Sequence, residues 1–338
     1  MRDALVHGGA IAAAMARYGG ARADWLDLST GIAPSAPALP EIAREAWMRL
    51  PEAEAETALR RAARGRYGAP EGAALVLAPG TQSLISLWPH LVAPAEAAIV
   101  SPTYAEHEAA LVAAGHRVRR IGKPEDIGAA TRLLVVVNPN NPDGRRFARA
   151  SLLEIAAELA RRDGLLVVDE AFMDPDPAES LCGEAGRPGL LVLRSFGKFY
   201  GLAGLRLGVA LAERTFARRL EARLGPWAVS GPALAVATAL IADDEATRLQ
   251  RAAIEAQSRL LLSALEAAGL PVLGSTPLFA LARHRRAHDL FEALARRHIL
   301  TRPFDFEPSW LRFGNPSDGA EAARLRDALS AALAEAAA

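Results

Sequence analysis

Short apolar runs alternate with amphipathic segments over much of the chain. Runs of strand length, apolar at nearly every position, occur at residues 73–77, 97–100, 133–137, 165–168, 190–193 and 207–211. Apolar residues with helical spacing lie between them, at residues 84–91, 106–114 and 151–161. Strands that are apolar throughout are buried on both faces of a sheet. The pattern therefore predicts an α/β fold in which helices sandwich a large, mostly parallel sheet.

A different pattern begins after residue 214. Helical stretches are followed there by short strands at residues 278–281, 299–302 and 311–313. This order is typical of a smaller α+β domain. At the other end of the chain, three prolines between residues 34 and 40 precede a predicted helix at residues 41–48. We therefore predict an N-terminal arm over residues 1–40, a large domain over 41–214 and a small domain over 215–338.

The richest candidate chemistry follows the apolar run at residues 190–193. Ser195, Lys198 and Arg206 lie there in a glycine-rich stretch that lets the backbone approach a ligand closely. Ligands of parallel sheets bind beyond the carboxyl ends of the strands. A hydroxyl, an amine able to form a Schiff base and a guanidinium suited to a phosphate are what a pyridoxal-phosphate enzyme needs. The alternative is that Lys198 is a solvated loop residue.

Three other predicted strands also end in polar residues. Asn141 lies in the stretch 138–144, where an amide suits a phenolate oxygen, although Asn, Pro and Gly also form ordinary turns. Asp169 ends the run at residues 165–168, where a carboxylate would keep a pyridine nitrogen protonated, or would merely cap a following helix. The stretch 78–83 leads from a strand to a helix, whose first N–H groups favour a phosphate.

Composition narrows the class of protein. The 338 residues carry 39 basic and 39 acidic side chains, and this balance predicts no nucleic acid or membrane partner. The single cysteine, Cys182, excludes an internal disulfide and a cysteine-based metal site, and we expect no metal. The first residues lack the layout of a signal peptide, and the apolar runs are too short to span a bilayer. We therefore expect a cytoplasmic protein.

The order of these motifs resembles that of the fold-type I pyridoxal-phosphate enzymes of the aminotransferase class I/II superfamily. The stretches Asn-Asn-Pro-Asp-Gly, Asp-Glu-Ala-Phe and Ser-Phe-Gly-Lys carry the resemblance, at residues 140–144, 169–172 and 195–198. It implies pyridoxal 5'-phosphate as the cofactor, with Lys198 bonded to it and moving protons. Asp169 would pair with the pyridine nitrogen. The remaining cofactor residues would be Gly80, Thr81, Gln82, Tyr104, Asn141, Ser195 and Arg206.

Within that superfamily the chain most resembles the cobalamin-pathway L-threonine-O-3-phosphate decarboxylases. The likeness rests on residues 7–9, 25–32 and 102–107, and on Phe172 in place of a tyrosine common in aminotransferases. It implies a homodimer that takes a small phosphorylated amino acid. The substrate-binding residues would be His7, Gly8, Thr30, Asn141, Arg302 and Arg312. Of these, Arg312 would hold the α-carboxylate.

Other interpretations remain open at this point. His7 would otherwise be a mobile terminal residue, and residues 29–31 a plain turn. Leu50 stands where aminotransferases usually have a tyrosine that reaches the partner's cofactor phosphate, which weakens the aminotransferase interpretation. The alternative enzyme is an aminotransferase of the histidinol-phosphate type. The alternative outside enzymes is a binding or regulatory module that retains this fold without turnover.

Overall fold

The computed structural model describes residues 8–337, which divide into two compact units. The larger unit comprises Ala36–Asn141 and Arg146–Gln250. The smaller unit comprises the described residues up to Ser35, the short segment Pro142–Arg145, and the chain from Arg251 onward. This division by compactness differs from the boundaries at residues 40 and 214, and those predicted domain limits stay a prediction.

The strands are named in chain order. They are β1 (Leu26–Asp27), β2 (Ala74–Ala78), β3 (Glu96–Val100), β4 (Arg117–Ile121), β5 (Thr131–Val137), β6 (Leu165–Asp169), β7 (Leu190–Ser195), β8 (Gly208–Ala212), β9 (Val272–Thr276), β10 (Phe279–Arg283), β11 (Ile299–Leu300), β12 (Arg302–Pro303) and β13 (Trp310–Gly314). The runs of apolar residues found in the sequence correspond to the buried strands of this set. Each boundary is within about two residues of its prediction, the usual uncertainty of strand ends.

The helices are named in the same way. They are α1 (Ile11–Tyr18), α2 (Arg44–Met48), α3 (Ala53–Tyr67), α4 (Thr81–Leu87), α5 (Ala105–Ala113), α6 (Arg149–Ala160), α7 (Phe196–Phe199), α8 (Arg214–Leu224), α9 (Gly231–Ala242), α10 (Asp244–Ala267), α11 (Ala287–Ala295) and α12 (Gly319–Ala337). Local sequence sets several of their ends. The Ser230 hydroxyl accepts a hydrogen bond at the start of α9, and Gly68 ends α3 in the left-handed conformation.

The larger unit is built on a seven-stranded sheet within the described chain, in the order β2-β8-β7-β6-β5-β3-β4. Every pair is parallel except the two that involve β8, which runs antiparallel to both β2 and β7. The interior strands are buried at nearly every residue, and α4 and α5 pack with α8 against an apolar cluster on this sheet. The predicted α/β fold with a mostly parallel sheet is therefore confirmed.

The smaller unit contains a second sheet and its own core. Its antiparallel strands follow the order β12-β13-β10-β9, and β1 pairs in parallel with β11. An apolar cluster joins this sheet to α11 and α12. The N-terminal segment is part of the unit, because Ile11, Ala14 and Trp25 pack with Ala295 and Leu300. Residues 8–35 thus have a packed core, where we expected an arm.

No helix within residues 8–337 is both long and apolar enough to cross a membrane. The predicted cytoplasmic location stays a prediction.

Candidate active site

Lys198 lies in a single helical turn, α7, directly after β7. Its Nζ atom is 5.0 Å from the centre of the Phe172 ring. The turn needs glycine at position 197, because a Cβ atom there would lie 2.6 Å from the Cα of Ala203. This close contact holds α7 directly after β7. The half-buried Lys198 therefore places its amine at the carboxyl end of that strand.

Asp169 is the last residue of β6 and is buried. Its Oδ1 accepts a hydrogen bond from the N–H of Ala171 at 3.0 Å, and its Oδ2 lies 2.9 Å from Nε2 of His107. The described residues 170–181 form turns without a helix. The alternative that Asp169 caps a following helix is therefore wrong, and the carboxylate instead projects toward α5 from a buried strand end.

His107 is the site residue that sequence reasoning missed. The sequence motif at residues 102–107 gives it no role, but in the structure it is buried beside Asp169, with 1 % of its surface exposed. Because a carboxylate accepts, the geometry favours the tautomer in which Nε2–H donates to Asp169. The available signal was spacing: His107 lies in the first turn of α5, three residues after Tyr104, which directly precedes that helix, and their rings meet edge to face at 6.1 Å.

The loop between β2 and α4 approaches Arg206 very closely. Gly80 has a φ of 84°, and a Cβ atom there would lie 2.6 Å from Nη2 of Arg206. A Cβ at Gly208 would lie 2.5 Å from the backbone nitrogen of Thr81. Arg206 itself has a φ of 53°, an unusual value for a residue with a side chain. Two glycines and one strained arginine thus place a guanidinium against the start of a helix, which is an arrangement suited to a phosphate.

Ser195 and Thr81 lie beside this loop. Ser195 pairs with Gly208 across the β7–β8 ladder. The Thr81 hydroxyl donates to the backbone oxygen of Arg194 at 3.1 Å, so it ties the first turn of α4 to the end of β7. The predicted phosphate-binding residues Gly80, Thr81, Ser195 and Arg206 are therefore brought together by the structure.

Tyr104 and Gln82 are linked by side-chain hydrogen bonds. The Tyr104 hydroxyl donates to Oε1 of Gln82 at 3.1 Å, and Gln82 Nε2 donates to Glu106 at 3.2 Å. Burial, followed by the charges of Glu106 and Asp169, raises the pKa of Tyr104 to about 12, while Arg206 acts in the opposite direction. The phenol therefore stays neutral, and it lies within electrostatic reach of both Asp169 and Arg206.

The loop after β5 holds its shape through two of its three asparagines. Asn138 donates to the backbone oxygen of Phe147 at 3.0 Å and accepts from that residue's N–H at 3.1 Å. Asn140 accepts from the Thr103 hydroxyl at 2.6 Å and donates to the Pro102 oxygen at 2.9 Å. These contacts show that Asn138 and Asn140 stabilise the loop. Asn141 is half-buried in the same loop, and its predicted role as a cofactor ligand stays a prediction.

These residues fit pyridoxal 5'-phosphate. The carboxylate of Asp169 ends β6, the Lys198 amine follows β7, and the Arg206 guanidinium precedes β8, which pairs antiparallel with β7. The neutral phenol is within electrostatic reach of the carboxylate and the guanidinium. Gly80 is the most direct evidence for this fit, because a side chain at that position would occupy the space that the Arg206 guanidinium takes. All nine predicted cofactor residues lie in the larger unit.

The predicted substrate residues other than Asn141 and His7 lie in the smaller unit. His7 is outside the described residues. Ser29 ties the N-terminal segment together, since its hydroxyl accepts from the N–H of Gly9 at 2.7 Å and donates to Asp27 at 2.6 Å. The Ser29 N–H also donates to Asp27, which is the geometry of a side-chain-stabilised turn. The backbone oxygen of Ser29 accepts from Nη2 of Arg312 at 2.9 Å.

Arg302 and Arg312 face each other across the β12–β13 ladder. Arg312 is buried, and this burial, together with the charge of Arg302, lowers its pKa to about 9. Burial likewise lowers the pKa of Arg302, against the opposing effect of Asp305. Like charges in directly opposite positions destabilise a sheet, so an anion bound beside them would stabilise both charged forms.

A cavity of about 300 Å³ borders this pair on the Arg302 side. Gly8, Ser29 and Arg302 line it together with largely apolar residues of α1 and α11. Thr30 lies next to this lining and packs on β13, because a Cβ at Gly314 would lie 2.2 Å from the Thr30 oxygen. The structure thus gathers Gly8, Thr30, Arg302 and Arg312 in one region, although they come from opposite ends of the chain.

Comparisons with known proteins agree with the resemblance. The family model described as "Aminotransferase class I and II" matches residues 36–329. The chain is 48% identical over 333 residues to a threonine-phosphate decarboxylase of Sinorhizobium sp, covering 98% of this chain and 99% of the relative. It is 48% identical over 327 residues to that of Pseudomonas aeruginosa, covering 96% and 97%.

More distant proteins share the fold. A histidinol-phosphate aminotransferase of Symbiobacterium thermophilum is 34% identical over 219 residues, which cover 62% of this chain and 59% of the relative. The crystal structure of histidinol-phosphate aminotransferase from Sinorhizobium meliloti in complex with pyridoxal-5'-phosphate superposes with a TM-score of 0.81 at 20% identity, covering 98% of this chain and 96% of that one. The resemblance to the aminotransferase class I/II superfamily is therefore confirmed.

Proposed function

The chain belongs to the aminotransferase class I and II family, and we propose that it is a pyridoxal-phosphate-dependent decarboxylase. Its substrate is L-threonine O-3-phosphate, and its product is (R)-1-amino-2-propanol O-2-phosphate, formed during cobalamin biosynthesis. The observation that carries this proposal is the 48% identity to two threonine-phosphate decarboxylases across nearly the whole chain. The opposed pair Arg302 and Arg312 supports it, since this substrate has two anionic groups.

The larger unit supplies the cofactor residues. The bound cofactor draws off the electron pair released when a bond at the substrate Cα breaks. Asp169, held by His107, would keep a proton on the pyridine nitrogen, and Asn141 would donate to the 3-oxygen. Tyr104 would pack on the ring. The cofactor phosphate would be held by Gly80, Thr81, Gln82, Ser195 and Arg206.

Lys198 has two tasks in this proposal. Its amine would hold the cofactor covalently, and the same amine would donate the proton that replaces the carboxylate at the substrate Cα. The aromatic ring of Phe172, 5.0 Å from Nζ, offers a favourable face to the ammonium form. This contact favours the ammonium form, which is the form that donates a proton.

A second set of predicted residues would orient the substrate. Arg312 holds the α-carboxylate with its planar fork, while Arg302, Gly8, Thr30 and His7 hold the phosphate. Fixing both ends of a short molecule fixes the rotation about its Cα bonds. That rotation decides whether the carboxylate or the Cα hydrogen is the group that leaves, and so separates a decarboxylase from an aminotransferase.

We further propose that the protein is a homodimer, and an apolar surface of the larger unit supports this. Trp47 and Met48 are 66 % and 68 % exposed at the end of α2, next to exposed Leu50. A groove of about 510 Å³ with a mostly apolar lining adjoins them. A two-fold interface places one patch against its own copy, so a protruding apolar edge beside an apolar groove is self-complementary.

Light scattering tests the homodimer. The wild type should have twice the chain mass, and Trp47→Glu should shift it toward the monomer. Leu249→Glu is the control, because Leu249 is 53 % exposed on α10 and does not line this groove. A wild type that is monomeric at micromolar concentration with full activity would contradict the proposal.

The reaction itself is tested with threonine phosphate and purified holoenzyme. Carbon dioxide and the amine product should form together, without keto acid. A second reaction with histidinol phosphate and a keto-acid acceptor should yield nothing. Keto-acid formation without carbon dioxide would instead establish the aminotransferase alternative, and a cofactor spectrum unchanged by either substrate would favour a module without turnover.

A further inference from the structure

A buried ion network lies behind the strand ends that carry Asp169 and Ser195. Arg194 and Glu170 are 1 % and 0 % exposed, and Nη1 of Arg194 is 2.8 Å from Oε2 of Glu170. The other end of the guanidinium contacts Asp174, and its carbon lies 4.5 Å from the centre of the Tyr67 ring. One guanidinium therefore bridges two carboxylates inside the larger unit.

Glu170 is also held by the loop that follows β6. The Ser180 hydroxyl and the Leu181 N–H each donate to Glu170 at 2.6 Å. Burial, and secondarily the charge of Asp174, raises the pKa of Tyr67, so that phenol stays neutral. The charges of the network are then those of Arg194, Glu170 and Asp174. None of these side chains has a role in the proposed chemistry.

The sequence positions of the pair are what make it informative. Glu170 directly follows Asp169, and Arg194 directly precedes Ser195 in the strand that leads to Lys198. The N–H of Glu170 donates to the oxygen of Leu193 at 2.8 Å, so the two strands are still joined at this point. The backbone oxygen of Arg194 also accepts from the Thr81 hydroxyl. Movement of Arg194 or Glu170 would therefore move three parts of the cofactor site.

We propose that the Glu170–Arg194 ion pair is a positioning device, which sets Asp169 against the turn that carries Ser195 and Lys198. Successive side chains of a strand point to opposite faces, so Asp169 is directed toward His107 while Glu170 is directed to the ion pair. Both residues act through their neighbours and contact neither cofactor nor substrate. The inference rests on the proposed cofactor site, but not on which substrate the enzyme takes.

Stability alone is a weak reason for this arrangement. A buried ion pair is often no more stabilising than apolar side chains of similar volume, because the desolvation of both charges offsets their attraction. Hydrogen bonds from a planar guanidinium to two carboxylates fix the distance between these groups and their relative orientation. Apolar packing restricts both less tightly. Geometry is also what the site requires, since a displacement of about 1 Å can cost roughly 10²-fold in rate.

Arg194→Lys and Glu170→Gln test the proposal. Lysine keeps the positive charge but loses the fork. Glutamine keeps one acceptor oxygen for the loop but loses the charge and the second acceptor oxygen. Arg146→Lys is the matched control, because Arg146 forms a 2.7 Å ion pair with Asp176 on the surface of the same unit. For each variant we would measure the melting temperature without cofactor, the pH midpoint of the bound cofactor's visible absorbance, and kcat and KM.

Both variants should melt as folded proteins. Their kcat should fall roughly 10²-fold with little change in KM, and the absorbance midpoint should move by about one pH unit. Arg146→Lys should match the wild type in every measurement. Lowered melting temperatures with unchanged kcat and midpoint would overturn the proposal and leave the pair a structural one. If Arg194→Lys does not fold, the kcat and the absorbance midpoint of Glu170→Gln test the proposal.

A failure of the proposed reaction would look different. The absorbance midpoint and cofactor retention are measured without substrate, so they report on positioning even if threonine phosphate is not consumed. An unchanged midpoint in Glu170→Gln would refute the positioning role alone, whereas a wild type that retains cofactor but releases no carbon dioxide would refute the proposed function alone.

Discussion

The candidate cofactor and substrate residues are assembled in opposite ways. In the larger unit, Asn141, Asp169 and Lys198 each follow a strand of one sheet, so parallel topology alone brings them to one edge. In the smaller unit, Thr30 and Arg312 are almost the whole chain apart, and the contact of Arg312 with Ser29 joins the two ends. Functional residues at strand ends can be recognised in the sequence as motifs, whereas functional residues that tertiary packing brings together cannot.

The two regions also handle positive charge differently. Arg206 is exposed and lies against a glycine, so solvent stabilises its charge until a phosphate binds. Arg312 is buried opposite Arg302, and its pKa is lowered to about 9. A buried cation with a half-buried like charge opposite it favours an anion more strongly than an exposed cation does, because the ligand replaces missing solvation. We therefore expect substitutions in the larger unit to affect chemistry and those in the smaller unit to affect substrate binding.

The largest effect should come from Lys198→Ala, which removes both the covalent bond and the proton donor. Turnover should fall by about 10⁴-fold or more, with the fold intact. The chain has only two lysines, Lys123 and Lys198, so Lys123→Ala is a clean control. Borohydride reduction of the wild type followed by peptide mapping should place the cofactor on Lys198. A label on Lys123 would refute the assignment.

Asp169→Asn should have the next largest effect, a loss of roughly 10³-fold in kcat, because a neutral amide does not hold the pyridinium proton. The fold should be nearly unchanged, since an amide oxygen can still accept from the N–H of Ala171. Asp176→Asn, an exposed residue of the same unit, is the control. Activity within a few-fold of the wild type in Asp169→Asn would mean that the carboxylate is only structural.

Arg302→Ala should act on binding. We expect it to weaken the affinity for threonine phosphate by about 1.5–3 kcal/mol, the usual scale for a hydrogen bond to a charged group. Retention of pyridoxal phosphate should be unaffected. Arg286→Ala serves as control, because Arg286 pairs with Asp289 on the surface of the same unit. Equal use of threonine and threonine phosphate by the wild type would remove the reason for a phosphate site here.

The smallest effect should be a rise in the KM for threonine phosphate at alkaline pH. Burial and the facing Arg302 lower the pKa of Arg312 to about 9, so its charge is complete at neutral pH and is lost as the pH rises through that value. The KM for threonine phosphate should therefore rise roughly fourfold by pH 9.5. Arg312→Gln should have a raised KM at neutral pH and should not show this rise at alkaline pH. Identical pH profiles for the two proteins would contradict it.

How far the sequence predicted the fold depended on burial. The strands β5, β6 and β7 were found because both of their faces are buried and almost every residue is apolar. Strand β4 was missed, since it is an edge strand with exposed Arg117, Arg119 and Arg120. Strand β9 was missed for a similar reason, because most of its residues are at least partly exposed and include Gly274. An apolar pattern therefore identifies a strand only where that strand is buried in the core.

The candidate site shows the same limit. The candidate cofactor residues could be proposed from the sequence because most of them lie in short motifs that follow a strand; their roles stay a prediction. His107 was not assigned, since its significance comes from a 2.9 Å contact with Asp169 on another element. Arg194 and Glu170 were passed over for that reason as well: their neighbours in sequence are named site residues, but their contact crosses two strands.

By itself, the sequence determined the α/β fold of the larger unit, the family and the positions of the candidate cofactor residues. These follow from apolar periodicity and from side chains at strand ends, both of which are local properties of the chain. Only the tertiary structure decided that residues 8–35 join the smaller unit, that Arg302 faces Arg312, and that Asp169 is backed by His107. Those facts depend on which distant segments pack together, and burial then sets the charges and pKa values of the groups that meet.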